Sequence, residues 1–76
     1  MSPHNLIQGA AFEPETIQLL SEAYEAAVML VGRDQPRVVL ETIAKKILDI
    51  AGRGERDPRT MVDYAIRGIE RLPDAG

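Results

Sequence analysis

Apolar residues recur at helical spacing along three stretches of the chain, and short polar segments containing glycine and proline separate them. At about 100° per residue, the apolar positions of residues 14–31 cover an arc of roughly 200°, and those of residues 36–51 roughly 180°. A third stripe lies within residues 58–72. The pattern predicts an all-α fold, a three-helix bundle with helices at about these three ranges.

Residues at the ends of the stripes support these bounds. Pro14 suits a first helical turn, where its missing N–H has no partner in any case. Gly32 is free to adopt the left-handed conformation that ends a helix. Asp57 is a strong N-cap residue followed by Pro58, and Pro73 stops the third helix.

The first two apolar arcs are wider than contact with one neighbouring helix requires. A chain of 76 residues has a marginal core, and it contains no cysteine for disulfides or thiolate metal sites. Self-association is the remaining source of stability, so we expect the excess apolar surface to be buried in a homodimer or against another protein. The predicted self-association stripe on the first helix comprises Leu19, Ala23, Ala26 and Leu30.

The domain organisation is simple. Residues 12–73 are predicted to form one helical domain, between flexible tails at residues 1–11 and 74–76. The one histidine, His4, falls in the first tail, so no metal site and no cofactor are expected. No apolar run approaches the roughly 20 residues that span a bilayer, and a cytoplasmic location is the default expectation.

Charge is distributed unevenly. Residues 1–32 carry four glutamates and no lysine or arginine, whereas all nine lysines and arginines lie between Arg33 and Arg71 together with seven acids. The favoured interpretation is that the acidic first helix packs beside the basic part of the chain, residues 33–71, so that their opposite charges offset each other. The alternative is an interaction surface.

The segment AGRGERDPRT, residues 51–60, raises the question of phosphate binding. It lacks the lysine and the preceding strand of a phosphate-binding loop. Gly52 or Gly54 ends the second helix in the simpler interpretation, and Asp57 starts the third. Catalysis is not expected either, because Ser21 has no histidine to activate it.

Nucleic-acid binding is the second hypothesis. Helices two and three resemble a helix-turn-helix unit, with the third helix directed at a groove of DNA. Two features weigh against it. The link between the second and third helices is longer than the usual turn of such a unit, and the sequence pI near 5.0 is acidic rather than basic. The primary candidate face is Thr60, Tyr64, Arg67 and Arg71. The secondary candidates, placed near phosphates, are Arg53, Arg56 and Arg59.

One passage resembles a group of small uncharacterised bacterial helical proteins. The shared features are an I-A-x-x-I-L-x-x-A helix followed by G-E-R-D-P. Here they correspond to Ile43, Ala44, Ile47, Leu48 and Ala51, then residues 54–58. The resemblance implies an all-helical fold and no known activity. The expected function is therefore a small interaction or regulatory module.

Overall fold

The computed structural model describes residues 12–73, which form three α-helices. Helix α1 spans Pro14–Val31, α2 spans Arg37–Gly52 and α3 spans Pro58–Glu70. Each helix packs against the other two, and the described residues include no strand. The predicted all-α three-helix bundle is confirmed.

The observed helix bounds lie within two residues of the predicted ones. Pro36 has ψ 154°, an extended value, so α2 begins one residue later than expected. Helix α3 ends at Glu70, and Leu72 then donates its N–H to the carbonyl of Ile69 at 3.0 Å in a final turn. The predicted tails, residues 1–11 and 74–76, lie outside the described residues.

The core is formed by apolar residues from all three helices. Ile43, Ile47 and Met61 are the largest fully buried side chains, and no polar or charged side chain is buried among residues 12–73. Four alanines in the core allow the helix backbones to approach closely. The buried core residues are Leu20, Ala23, Ala27, Val28, Ile43, Ile47, Ala51, Met61 and Ala65.

The connection between α1 and α2 begins at Gly32. Its φ of 97° confirms the predicted positive-φ position, although its ψ of 145° lies outside the left-handed helical region. Its N–H donates to the carbonyl of Val28 at 2.8 Å. The Gln35 side chain donates to the carbonyl of Val31 at 2.6 Å, so a second carbonyl at the end of α1 has a hydrogen-bond partner.

The end of α2 has the hydrogen bonds of a Schellman motif. Gly54 donates its N–H to the carbonyl of Ala51 at 3.0 Å, and Glu55 donates to that of Ile50 at 3.2 Å. Gly54 has φ 108°, a value that non-glycine residues rarely adopt. Of the two candidate glycines, Gly54 therefore makes the turn, whereas Gly52 is the last residue of the helix.

The start of α3 is capped as predicted. The Asp57 carboxylate accepts a hydrogen bond from the N–H of Arg59 at 3.1 Å, and Pro58 occupies the first helical position. The Glu55 carboxylate accepts from the N–H groups of Arg56 and Asp57 at 3.1 and 3.0 Å. Both acids therefore accept hydrogen bonds from the backbone, Glu55 within the link and Asp57 from the first turn of α3.

Candidate functional site

Within residues 12–73, helix α3 borders two open surfaces, and one of them lies between α2 and α3. We call it the basic cleft. Two adjoining pockets of about 450 and 180 Å³ make up the cleft. The lining residues are Thr42, Lys45, Lys46, Asp49, Tyr64, Arg67, Gly68, Arg71 and Leu72.

Lys46 spans the cleft from α2 to α3. A Cβ atom placed on Gly68 would lie 2.8 Å from both Cγ and Cε of Lys46, so the lysine stem occupies the space that a side chain at Gly68 would take. The Lys46 ammonium then lies 5.6 Å from the centroid of the Tyr64 ring, within cation–π range. The position of the lysine stem therefore accounts for a glycine inside α3 at residue 68.

Tyr64 is held by a second contact from α2. Its hydroxyl donates to Oδ2 of Asp49 at 2.8 Å, and Nη2 of Arg53 lies 3.4 Å from the same oxygen. The hydrogen bond to the Asp49 carboxylate raises the pKa of the Tyr64 hydroxyl above its ordinary value. Partial burial and the negative charge of Asp49 act in the same direction, while Arg53 and Arg71 oppose them.

Positive charge predominates around the cleft. Arg67 forms an ion pair with Asp63 at 3.1 Å, but both side chains are well exposed, so the pair contributes about 0.3–0.5 kcal/mol at most. The cations of the cleft and its edge outnumber the acids by three, although the whole chain has a net charge of −3. The cations are Lys45, Lys46, Arg53, Arg67 and Arg71, and the acids are Asp49 and Asp63.

The primary candidate face is only partly assembled in the cleft. Tyr64, Arg67 and Arg71 lie together there, as the helical spacing predicted. Thr60 instead donates its hydroxyl to the Asp57 carboxylate at 3.3 Å and belongs to the cap of α3. Lys46, a charged residue at a position of α2 that looks solvated when judged from the sequence alone, completes the group.

The secondary candidates do not form one phosphate-binding group. Arg56 donates through Nη1 to the carbonyls of Ala51 and Glu55, both at 2.7 Å, and its guanidinium lies 5.8 Å from the Phe12 ring centroid. It therefore stabilises the end of α2. Arg53 pairs with Asp49, whereas Arg59 lines a surface on the other side of α3.

That other surface lies between α1 and α3, and we call it the apolar groove. Its volume is about 480 Å³, and most of its lining is aliphatic. Leu30 is 71% exposed within it, and the neighbouring Met29 is equally exposed on α1. The lining residues are Ala26, Leu30, Pro58, Arg59, Val62, Asp63 and Ile66.

The predicted self-association stripe on α1 is divided by the structure. Ala23 is 0% exposed in the core, so its place in the stripe is wrong, because α1 turns this position toward the other two helices. Leu19 is half-buried and packs against the core. Ala26 and Leu30 remain accessible, and the apolar surface continues onto α3 rather than along α1.

A third groove, between α1 and α2, is also largely apolar. Ile17 and Leu48 line it and are 52% and 51% exposed. Phe12 lines the same groove, so Phe12 and Ile17, which have the spacing of a hydrophobic staple at the start of α1, border one pocket. The exposed Leu48 provides a matched position for experiments on Leu30.

Comparison with known proteins identifies no relative of the chain. No protein-family model matches it, and no curated protein and no solved structure matches it either. The resemblance to small bacterial helical proteins therefore stays a prediction. Within residues 12–73, no three acids, histidines or cysteines cluster as a metal site, and no helix has the length and apolarity of a membrane span.

Proposed function

We propose that this protein is a small cytoplasmic interaction module that forms a homodimer through the apolar groove and has a binding role rather than a catalytic one. The exposed Leu30 supports the proposal most directly. Burying a leucine side chain completely is worth about 1.5–3 kcal/mol, and Leu30 leaves most of that contribution unused in the single chain.

The surroundings of Leu30 favour a contact larger than one side chain. Val62 and Ile66 of α3 extend the apolar surface, and Ala26 leaves room for an approaching helix. Met29 adds a second exposed apolar side chain at the edge. Such a patch, rimmed by charged residues, is typical of a protein–protein contact.

Charge at the groove supports a second copy as the occupant. Arg59 and Asp63 both line it, so each copy presents one positive and one negative group. A two-fold axis brings the same patch of both subunits together, and such a patch must therefore be self-complementary. Opposite charges on one patch allow Arg59 of each copy to approach Asp63 of the other.

Sedimentation equilibrium of matched leucine variants tests the proposal. We expect the wild type to form dimers at micromolar concentration, and Leu30→Lys to shift the equilibrium to monomers, because a charge would be buried in the interface. Leu48→Lys is the matched control. It places the same charge on an exposed leucine in the groove between α1 and α2, and it should leave dimerisation unchanged.

Circular dichroism must show that both variants keep the helical content of the wild type. A wild type that stays monomeric throughout the concentration range would exclude self-association. If Leu48→Lys dissociates the dimer and Leu30→Lys does not, the contact lies in the groove between α1 and α2 instead.

A further inference from the structure

The basic cleft has a composition opposite to that of the apolar groove, and we propose that it is a separate binding site for the phosphate backbone of nucleic acid. The site is formed by Lys46 and Lys45 of α2, by Arg67 of α3 and by Arg71, which directly follows the last residue of α3. It shares Arg67 and Arg71 with the helix-turn-helix hypothesis, but it adds the two lysines of α2 and uses neither Thr60 nor the arginines of the link.

Unneutralised charge is the first argument. Lys45, Lys46 and Arg71 have no carboxylate within ion-pair distance among residues 12–73. Arg67 contacts one oxygen of an exposed aspartate, a pair that solvent screens strongly. Three cations are therefore free to displace the counterions of a polyanion, and this release is the main source of non-specific affinity for nucleic acid.

The arrangement of the cations is the second argument. Arg67 lies in the last turn of α3, and Arg71, its C-cap residue, follows four residues later with helical backbone angles, about 6 Å further along the helix axis. Lys46 faces them from α2 across a pocket of about 180 Å³. A linear polyanion lying in the cleft would contact both walls, and each guanidinium can bind two phosphate oxygens at once.

The cleft fits a nucleic-acid backbone better than an acidic protein segment. Protein interfaces depend on buried aromatic or aliphatic anchors, and Leu72 is the one aliphatic side chain among the described residues that line the cleft. The Tyr64 ring is covered by Lys46, and its hydroxyl is bound to Asp49. Because Tyr64 is engaged, we expect binding without base stacking or sequence preference.

The number of cations sets the expected strength. With about three phosphate contacts, log K should fall with log salt at a slope of about −2.7 for duplex DNA and about −2 for single strands. Non-specific binding of this kind has a Kd of about 10⁻⁴–10⁻⁶ M at physiological salt. The interaction should therefore be weak and should strengthen steeply as salt is lowered.

Fluorescence anisotropy measures both the affinity and its dependence on salt. The probes are labelled random-sequence duplex and single-stranded DNA, at about 50–200 mM salt. The test variant is Lys46→Gln/Arg71→Gln. Its matched control, Arg33→Gln/Arg37→Gln, removes the same two positive charges from exposed positions outside the cleft and the groove. We expect the test variant to lose at least about tenfold in affinity and its slope to become shallower by about two, and the control to bind like the wild type.

Gly68→Ala provides a variant with unchanged charge. Its new Cβ must displace the Lys46 stem, so we expect affinity between those of the wild type and the double variant. Leu30→Lys should bind DNA like the wild type or slightly better, which separates this site from the proposed dimer contact.

Three results would overturn the proposal. The first is a wild type that does not bind either DNA at the lowest salt. The second is an equal loss in the test and control variants, which would show that overall charge rather than the cleft governs binding. The third is poly-glutamate displacing the DNA as effectively as unlabelled DNA does, which would assign the cleft to acidic protein segments.

Discussion

The two surfaces beside α3 differ in what fills the space between the helices. In the basic cleft, the long Lys46 side chain passes over Gly68, and its charged end reaches the Tyr64 ring. In the apolar groove, no long side chain from residues 12–73 crosses in this way, and Leu30 remains 71% exposed. One gap is covered by a polar side chain of the same chain, while the other leaves aliphatic surface exposed to water.

This difference shows how a small bundle can keep two kinds of surface on one helix. A lysine stem covers apolar surface and still keeps its ammonium at the edge, so the cleft remains charged without an exposed hydrophobic patch. Ala26 in the groove is too short to cover anything, and Leu30 points away from the core. The groove therefore leaves apolar surface uncovered, whereas the cleft presents mainly positive charge.

The largest expected effect concerns the core that separates the two surfaces. Met61 of α3 is 0% exposed, and Met61→Ala should lower the free energy of unfolding by about 2–5 kcal/mol because it leaves a cavity. Met29→Ala is the matched control, since Met29 is 71% exposed and its loss should cost less than about 0.5 kcal/mol. Urea denaturation followed by circular dichroism measures the free energy of unfolding of both variants.

These measurements should be made at a protein concentration low enough to keep the protein monomeric, because dimerisation increases the apparent stability. An unfolded Met61→Ala variant would agree with the expectation for a chain of this size. If both variants lose the same free energy of unfolding at low concentration, Met61 is not buried in the core.

A smaller effect distinguishes the glycine in the cleft from one outside it. Gly52 ends α2 with nothing near its missing side chain, so Gly52→Ala should gain up to about 1 kcal/mol from helix propensity. Gly68→Ala gains a similar amount but pushes aside the Lys46 stem, so its net change in stability should be clearly smaller. Thermal or urea unfolding of the two variants gives the difference, and equal gains would show that Lys46 does not occupy this space in solution.

Much of the fold could be predicted because its signals are local. Proline and aspartate at the helix starts, and glycines at the helix ends, act within one turn of the chain. The starts at Pro14 and Pro58 follow directly from them. The one-residue shift at Pro36 also has a local cause. Proline allows either a helical or an extended ψ, and Pro36 has the extended value.

The surfaces could be predicted only in part, because they depend on how the helices are rotated against one another. The stripe on α1 included Ala23, since periodicity alone cannot tell which side of a wide apolar arc faces the core. Lys46 appeared to be a solvated residue, and only its position opposite Gly68 places it in the cleft. The contact between Lys46 and α3 had one signal in the sequence, which is Gly68, a glycine inside a helix where no turn requires it.

The smallest expected effect concerns the hydrogen bond between Tyr64 and Asp49. The chain has two tyrosines and no tryptophan, so in a Tyr24→Phe background the ultraviolet absorbance reports the ionisation of Tyr64 alone. Because the Asp49 carboxylate raises the pKa of Tyr64, Asp49→Ala should move the titration to lower pH. Asp63→Ala is the control, since Asp63 pairs with Arg67 and not with Tyr64.

The sign of the linked effect on stability follows from the raised pKa. The hydrogen bond stabilises the fold while Tyr64 is protonated, so its contribution is complete below the ordinary tyrosine pKa of 10.0 and is lost as pH rises through the higher folded value. Asp49→Ala should therefore weaken the dependence of stability on pH in that alkaline window. An unchanged titration in Asp49→Ala would mean that the hydroxyl is free in solution. In that case Tyr64 would be available to stack on a base, and single-stranded nucleic acid would be favoured over duplex in the basic cleft.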